Sequence, residues 1–343
     1  MMHEADELME QEQEMYEHFR FVADPGQGLL RIDKFLMTRI ENASRNKIQQ
    51  AAKAGCILVN EQAVKQNYRV KPGDMISVVM PEAPRDKEIL PEDIPLDIVY
   101  EDDDILVINK AAGMVVHPAY ANYTGTLVNA LAHHLRRTTS DPEALPFLVH
   151  RIDKDTSGIM LAAKNEMAQT ILARDFYHHR INRKYNALVW GDMEEDSGTI
   201  TGNLGRSPRN RKVMTVFEDG ETGKHAVTHW EVLRRFNYVT LLNCTLETGR
   251  THQIRAHLKY AGHPLFNDAA YGGNRILKGT TFTKYRQFVI NCFAALPRQA
   301  LHARSLGFRH PLSCEEMFFD SELPADMQEV IKKWDTYTTH QKM

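Results

Sequence analysis

The segment "PEAPRDKEILPEDIP", Pro81–Pro95, constrains the fold most. Its four prolines remove donors that a helix interior or a central strand needs, and its charges leave no apolar face to bury. The chain of 343 residues therefore divides, with length enough for two cores. The pattern predicts an acidic extension over 1–27, a compact unit over 28–80, a linker over 81–94, a main domain over 95–325 and a tail over 326–343. Residues 1–20 are expected to form an acidic helix or to stay disordered.

In the compact unit, "RIDKFLMTRI" places Ile32, Phe35, Leu36 and Ile40 at helical spacing. Ser44 is a natural N-cap for a second helix, Arg45 to Ala54, with Gly55 as its stop. "CILVN" and "MISVVM" read as strands, joined through the turns "NEQ" and "KPGD". In the main domain, "LDIVY" and "ILVIN" read as strands around the acidic turn Glu101–Asp104. "KYNALVWG", "AVTHWEVLRRF" and "YVTLLNCTLETG" are further strands, while Gly125 to Arg137 and Asn165 to His178 have helical character. Strands and helices mix without a regular βαβ alternation, so the fold class is α+β on a largely antiparallel sheet.

The formal net charge is only −3, which at first argues against a polyanionic partner. Its distribution points the other way. Residues 1–27 hold eight acidic residues against one arginine, and residues 81–104 hold ten against two basic ones. Residues 28–80 hold nine Lys/Arg against four acidic residues, and the stretch after Asp104 is net basic. Two basic bodies separated by acidic connectors suit a nucleic-acid partner. The four cysteines, Cys56, Cys244, Cys292 and Cys314, form no C-x-x-C pair. Reduced, mostly buried thiols and a cytoplasmic location are expected. No apolar run approaches the ~20 residues that span a bilayer, and the acidic amino terminus has no apolar stretch of the secretory kind.

The densest chemical cluster is "HRIDKDTSG", His150 to Gly158. Asp153, Asp155, Ser157 and Gly158 copy the start of a calcium loop. The twelfth position, which needs a bidentate glutamate, is Lys164, and a lysine there repels the cation. An aspartyl-phosphate centre needs a converging magnesium set, and it stays open on spacing alone. An aspartate acting at a sugar carbon needs a positive partner to keep it ionised, for which Arg250 and Arg255 are candidates. A turn or helix-cap carboxylate fits the same residues. His252 and His257, five apart, are poorly spaced for joint metal ligation and read as structural or RNA-facing. No metal is expected.

With its flanks, "HRIDKDTSGIMLAAK" resembles the active-site motif HRLDxxTSG of the RluA-like RNA pseudouridine synthases. Further blocks resemble that family in order: "YEDDDILVINKAAGMVVHP", "INRKYNALVWG", "LETGRTHQIRAHLKYAGHPLFNDAAYG" and "ALHARSLGFRHP". Residues 28–80 resemble an S4 RNA-binding domain. The resemblance implies an enzyme that isomerises uridine to pseudouridine in RNA, with no cofactor because the reaction is redox-neutral. It implies that Asp153 attacks the nucleoside or abstracts a sugar proton to give a glycal. It also implies that Tyr185 packs on the uracil and serves the final deprotonation, that Arg255 pairs with the aspartate, and that Arg151 fills the place of the flipped nucleotide. Leu301 would line the pocket, and Arg250 would support it or touch phosphate.

RNA contacts are expected from Arg31, Ser44, Arg45 and Lys47 in the S4 unit and from Arg209, Arg211 and Lys212 in the basic loop "RSPRNRK". Members with this layout often act on large-subunit ribosomal RNA. Transfer RNA, or a non-catalytic role in RNA binding and ribosome assembly, are the alternatives. The chain departs from the family at Lys110-Ala111, where Lys-Pro is usual, and at Asn267-Asp268, where Gly-Asp is usual. Neither departure is expected to touch the catalytic set. Asn274–Arg298 looks long and is a candidate for shaping substrate choice.

Overall fold

The computed structural model describes residues 16–40, 43–80, 89–118, 123–139, 141–210 and 213–341. It divides into two units, Met1–Glu88 and Ile89–Met343.

In the first unit, four antiparallel strands lie in the order Tyr16–Val22, Met75–Met80, Ile57–Val59, Gln62–Ala63. A short pair, Leu30–Arg31 with Arg69–Val70, leads into helix Ile32–Met37. Ile32, Phe35 and Leu36 are fully buried there, as their spacing requires. Ser44 Oγ accepts the Lys47 N–H at 3.4 Å to start helix Arg45–Lys53, and Gly55, at φ +74°, ends it. The stretch expected to be helical or disordered is strand from Tyr16 onward. Phe19 and Phe21, two apart, pack on the unit's core, which therefore begins ahead of residue 28. Residues 1–15 lie outside the described residues.

The second unit is built on one large sheet. Its order is Met214–Phe217, Ser197–Arg206, Lys224–Arg235, Val239–Leu246, Asn182–Trp190, Leu301–Arg309, Ser157–Ala163, Ile105–Lys110, Ile98–Glu101. Phe147–Leu148 and Glu316–Asp320 pair off that path. Among the described residues every strand pairing is antiparallel except Ser157–Ala163 with Leu301–Arg309. That fits the expected mainly antiparallel α+β class. The expected linker is packed onto this unit where it is described. Asn129 Nδ2 donates to the Leu90 carbonyl at 2.7 Å, and Glu92 Oε1 accepts the Gly125 N–H at 2.9 Å.

Alternation along Asn182–Trp190 divides the interior. Tyr185, Ala187 and Val189 face one apolar cluster, which also holds Leu301, Leu246 and Ile254. Leu188 and Trp190 face the other, with Phe266, Tyr285, Val289 and Trp334. Helix Thr283–Ala295 belongs to this second cluster. Through this helix the segment Asn274–Arg298, expected to shape substrate choice, packs on the second cluster, while Arg298 at its end reaches the Asp155 carbonyl. Residues 326–343, expected as a tail, fall largely in helix Ala325–Gln341, which buries Met327, Val330 and Trp334 in the same core. Two of the four cysteines are buried, Cys244 and Cys292; Cys56 is half-buried and Cys314 exposed. No described helix is long and apolar enough to cross a membrane.

The parallel pair is fastened by a buried histidine. His302 lies between Ser157 Oγ (2.9 Å from Nδ1) and Ser321 Oγ (3.0 Å from Nε2). Burial, opposed by the Ser321 carbonyl, pushes its pKa down to about 4. The unfolded chain, with histidine near 6.5, binds the proton more readily through the interval between. Stability is therefore full above about pH 6.5 and is lost as pH falls toward 4, by up to about 3 kcal/mol from this group. His257, also held down to about 4 by burial, adds to the same trend. All three tryptophans, Trp190, Trp230 and Trp334, lie in this unit, so their fluorescence reports its urea midpoint. The midpoint should drop from pH 6.5 to 4, and His302→Gln should make the drop shallower. An equal slope in the variant would show that His302 is not held neutral.

Candidate active site

The loop His150–Thr156 enters strand Ser157–Ala163, and each of its residues has a distinct task. His150 Nε2 accepts the Leu161 N–H at 2.9 Å, and its ring stacks on Phe176 at 4.7 Å. Burial, and then the Arg183 charge, push its pKa down to about 3, so it is a neutral brace. Ile152 is buried and anchors the loop. The Thr156 N–H closes a turn onto the Asp153 carbonyl at 3.1 Å. Gly158, at φ +119°, passes so close to the Ala303 backbone that a Cβ would collide with it.

Two cations clamp the loop backbone. Buried Lys110 Nζ donates to the carbonyls of Lys154 (3.0 Å), Ala111 (2.6 Å) and Met114 (2.9 Å). Burial pushes its pKa down to about 8. Arg298 Nη1 donates to the Asp155 carbonyl at 3.0 Å. The calcium-loop likeness has no structural counterpart, because Lys164 Nζ pairs with Glu101 at 2.9 Å and residues 157–163 are a fully buried strand. Asp102, Asp104 and His310 also gather ligand-type atoms within 4.8 Å of one another. The Asp102 carboxylate there already accepts the Asp104 and Ile105 N–H groups and the Tyr100 hydroxyl, besides pairing with His310.

Asp153, half-buried, meets Arg255 from helix Gln253–Tyr260. Arg255 Nη1 donates to Asp153 Oδ2 at 2.9 Å. Its Nε and Nη2 form a fork with Asp268 Oδ2 and Oδ1, at 2.7 and 2.9 Å. Burial opposes the Arg255 charge, but the hydrogen bonds and charge of Asp268, and then of Asp153, drive its pKa above the usual arginine value. Asp268 is itself buried and caps the turn Ala269–Tyr271 through the N–H groups of Ala270 and Tyr271. The dipeptide Asn267-Asp268 departs from the family's Gly-Asp only at Asn267; the matching aspartate holds Arg255. Asn267 takes the left-handed conformation (φ +57°) that the family's glycine would supply. Its Nδ2 donates to the carbonyls of Phe293 and Leu296.

His252, read as structural or RNA-facing, stands beside the same carboxylate. Its Nε2 is 3.8 Å from Asp153 Oδ2 and its Nδ1 is 3.1 Å from the Tyr271 hydroxyl. Burial lowers its pKa against the pull of Asp153. Tyr271 also lies under Arg255, 5.1 Å from Cζ to the ring centre.

These groups border a cleft of about 660 Å³. Asp153, Arg151, Tyr185, Arg250, Arg255 and Leu301 all line it, together with His252, Ile152 and Leu246. Tyr185 and Leu301 are buried apolar walls. Burial raises the Tyr185 pKa; the Arg183 charge lowers it and the Asp153 charge raises it further. Arg151 and Arg250 are exposed at the rim, where Arg250 Nε donates to the His225 carbonyl at 3.2 Å.

None of the remaining described residues expected to touch RNA lines this cleft. In the first unit, Arg31 and Arg45 are drawn onto buried Asp33, at 2.9 and 3.1 Å, while Ser44 caps its helix and Lys47 is free of ion pairs among the described residues and exposed. Burial opposes the Asp33 charge, but hydrogen bonds from Gln49, Arg31 and Arg45 pull its pKa down to about 2. Arg209 is exposed on its loop; Arg211 and Lys212 lie outside the described residues.

The family model for RNA pseudouridylate synthases matches residues 104–260, and the S4 domain model matches residues 30–76. A protein of Chlorobaculum parvum described as an uncharacterized RNA pseudouridine synthase is 47% identical over 316 residues, 90% of this chain and 95% of its own. A ribosomal large subunit pseudouridine synthase D of Zymomonas mobilis is 42% identical over 88% of this chain and 93% of its own. The solved structure of human RNA pseudouridylate synthase domain containing 4 shares the fold, with TM-score 0.54 at 21% identity over 69% of this chain and 92% of that one. The chain belongs to the RNA pseudouridine synthase family. More particularly, it is an RNA-directed isomerase that carries an S4 domain ahead of its catalytic domain.

Asp268→Asn should break the fork and leave Arg255 mobile, while the fold keeps its turn. Single-turnover pseudouridine formation should fall roughly tenfold to a hundredfold, with RNA affinity little changed. An unaltered rate would show that Arg255 is placed without Asp268.

Proposed function

We propose that this enzyme converts uridines of large-subunit ribosomal RNA to pseudouridine, in the cytoplasm. The Asp153–Arg255 pair at the wall of the Tyr185 cleft carries the chemical part of the reading. The relative named for the large ribosomal subunit, similar over nearly its whole length, supports the substrate.

A uridine stacked in RNA must leave the stack, at a cost of roughly a few kcal/mol. Arg151, exposed at the rim, fills the gap, since its planar guanidinium both stacks and bonds phosphate. The uracil enters between Tyr185 and Leu301, where an aromatic face and an aliphatic wall suit a flat ring. Arg255 holds the Asp153 carboxylate in place through its Nη1 hydrogen bond. Asp153 then acts at C1′ as nucleophile, or removes the 2′ hydrogen to give a glycal. The uracil departs with the electron pair of the C1′–N1 bond, turns, and rejoins C1′ through C5, releasing Asp153 from C1′ or, from the glycal, as Asp153 returns the 2′ hydrogen. The C5 proton leaves by way of the Tyr185 hydroxyl, and N1 gains a proton. Arg250 supports this pocket or holds a phosphate. Arg209, Arg211 and Lys212 add phosphate contacts, and the S4 unit docks the RNA through Arg31, Ser44, Arg45 and Lys47.

Mapping pseudouridine across cellular RNA with and without the gene should show the loss confined to the large ribosomal subunit. Sites lost from transfer RNA alone would replace the proposed substrate. Asp153→Asn should abolish product while RNA binding survives, and a normal rate in that variant removes Asp153 from its role. RNA affinity should fall steeply with salt. Lys47→Ala should reduce the log–log slope by about 0.7–0.9, the share of one phosphate contact, whereas an unchanged slope takes Lys47 out of the interface.

A further inference from the structure

Arg183 is a buried cation without a counter-ion. It stands two residues before Tyr185 on strand Asn182–Trp190, so both side chains leave the same sheet face and line the cleft. It is 6% exposed. Among the described residues it forms no ion pair. Its one hydrogen bond is long, from Nη2 to the Glu247 carbonyl at 3.4 Å, and Nε has no partner. The Phe176 ring, 5.4 Å from Cζ, offers weak compensation.

Three carboxylates of the neighbouring strands and loops are committed elsewhere. Asp153 and Asp268 hold Arg255, and the Glu247 carboxylate meets His229 at 2.6 Å. Room for the guanidinium is built in at Gly249, where a Cβ would come within 2.5 Å of Nη1. A buried guanidinium stays charged, and desolvation with no partner is unfavourable. Such an arrangement is expected where an anion arrives during function.

We infer that Arg183 stabilises the negative charge that the detached uracil carries during isomerisation. The inference rests on the reading of the cleft as the site of the reaction. When C1′–N1 breaks, its electron pair stays on the uracil and spreads over N1, O2 and O4. That charge is consumed when C5 rebonds to C1′, the C5 proton leaves and N1 is protonated. Arg183 shares its depth and sheet face with Tyr185, the ring assigned to the base, whereas Arg151 and Arg250 are exposed at the rim. A cation aimed where charge develops favours the transition state over the bound ground state.

The test uses the full chain and a synthetic hairpin of large-subunit ribosomal RNA carrying the target uridine. Arg183→Gln should lower the single-turnover rate about 10²–10³-fold, the usual effect of losing one such donor, and leave the RNA dissociation constant within about threefold. Arg183→Lys should recover part of the rate. Gly249→Ala, which displaces the guanidinium without removing it, should show the same loss of rate with affinity kept. An RNA bearing 5-fluorouridine at the target, whose base is the better leaving group, should shrink the wild-type to Arg183→Gln ratio for loss of the starting nucleoside. Weakened RNA binding with an unchanged rate would assign Arg183 to a phosphate and overturn the inference, as would a rate unchanged in all three variants. Asp153→Asn, assayed alongside, separates the two readings: if it also isomerises normally, the cleft itself is misassigned.

Discussion

The catalytic unit is organised around one guanidinium. Arg255 gives its Nε and Nη2 edge to Asp268 and its Nη1 to Asp153. The two carboxylates are not equivalent. Asp268 is fully buried, fixed by backbone N–H groups and matched to a two-point fork. Asp153 is half-buried and receives a single hydrogen bond from Arg255. One carboxylate thus locks the arginine and the other is presented by it. A lone Arg–Asp pair would rotate about one contact, whereas a fork on the far side fixes the plane of the guanidinium and with it the Asp153 oxygen. Helix Gln253–Tyr260, the turn Ala269–Tyr271 and loop His150–Thr156 come from distant parts of the chain, and this chain of charges is where they meet.

The sheet makes that meeting possible. Strand Leu301–Arg309 lies antiparallel to Asn182–Trp190 on one side and parallel to Ser157–Ala163 on the other. The parallel contact is only two residue pairs long, Ser157 with His302 and Gly158 with Ala303. It sits immediately after loop His150–Thr156, so the register of the sheet sets the height of Asp153 relative to Tyr185. Lys110 and Arg298 then hold the loop by its carbonyls. These contacts use the loop's backbone carbonyls rather than its side chains, which leaves the Asp153 carboxylate free for Arg255.

Much of this was legible in the sequence, and the failures share a cause. Period and cap signals are local, so helix Arg45–Lys53 with its Ser44 cap and the strands around Tyr185 could be read directly. The family blocks placed Asp153, Tyr185, Arg255 and Leu301 on one cleft. What escaped depends on partners far away in the chain. "YEHFRFV" begins inside the stretch expected to be an acidic helix or disordered, and is a strand because Met75–Met80 pairs with it. Asp268 was not singled out, because nothing local shows that its carboxylate pairs with Arg255. His252 was judged by its spacing from His257, when its relation to Asp153 across the fold decided its environment. The two aspartates of "DKDTSG" suggested a cation, yet the positive charge that answers Asp153 comes from Arg255, 102 residues on.

The two buried arginines of the cleft show how charge state divides labour. Arg255 and Arg183 are nearly equally buried, at 8% and 6% exposure. Surroundings push them in opposite directions. Despite burial, the carboxylates around Arg255 raise its pKa, whereas burial lowers that of Arg183 with little to oppose it beyond Tyr185. A saturated cation has little left to offer an incoming anion and is suited to holding geometry. An unsaturated one stores unfavourable energy in the resting protein, which folding must bear and which only an anion in the cleft relieves. Neither could take the other's position. Placing a carboxylate beside Arg183 would quench it before substrate arrived, and stripping Asp268 from Arg255 would let Asp153 drift.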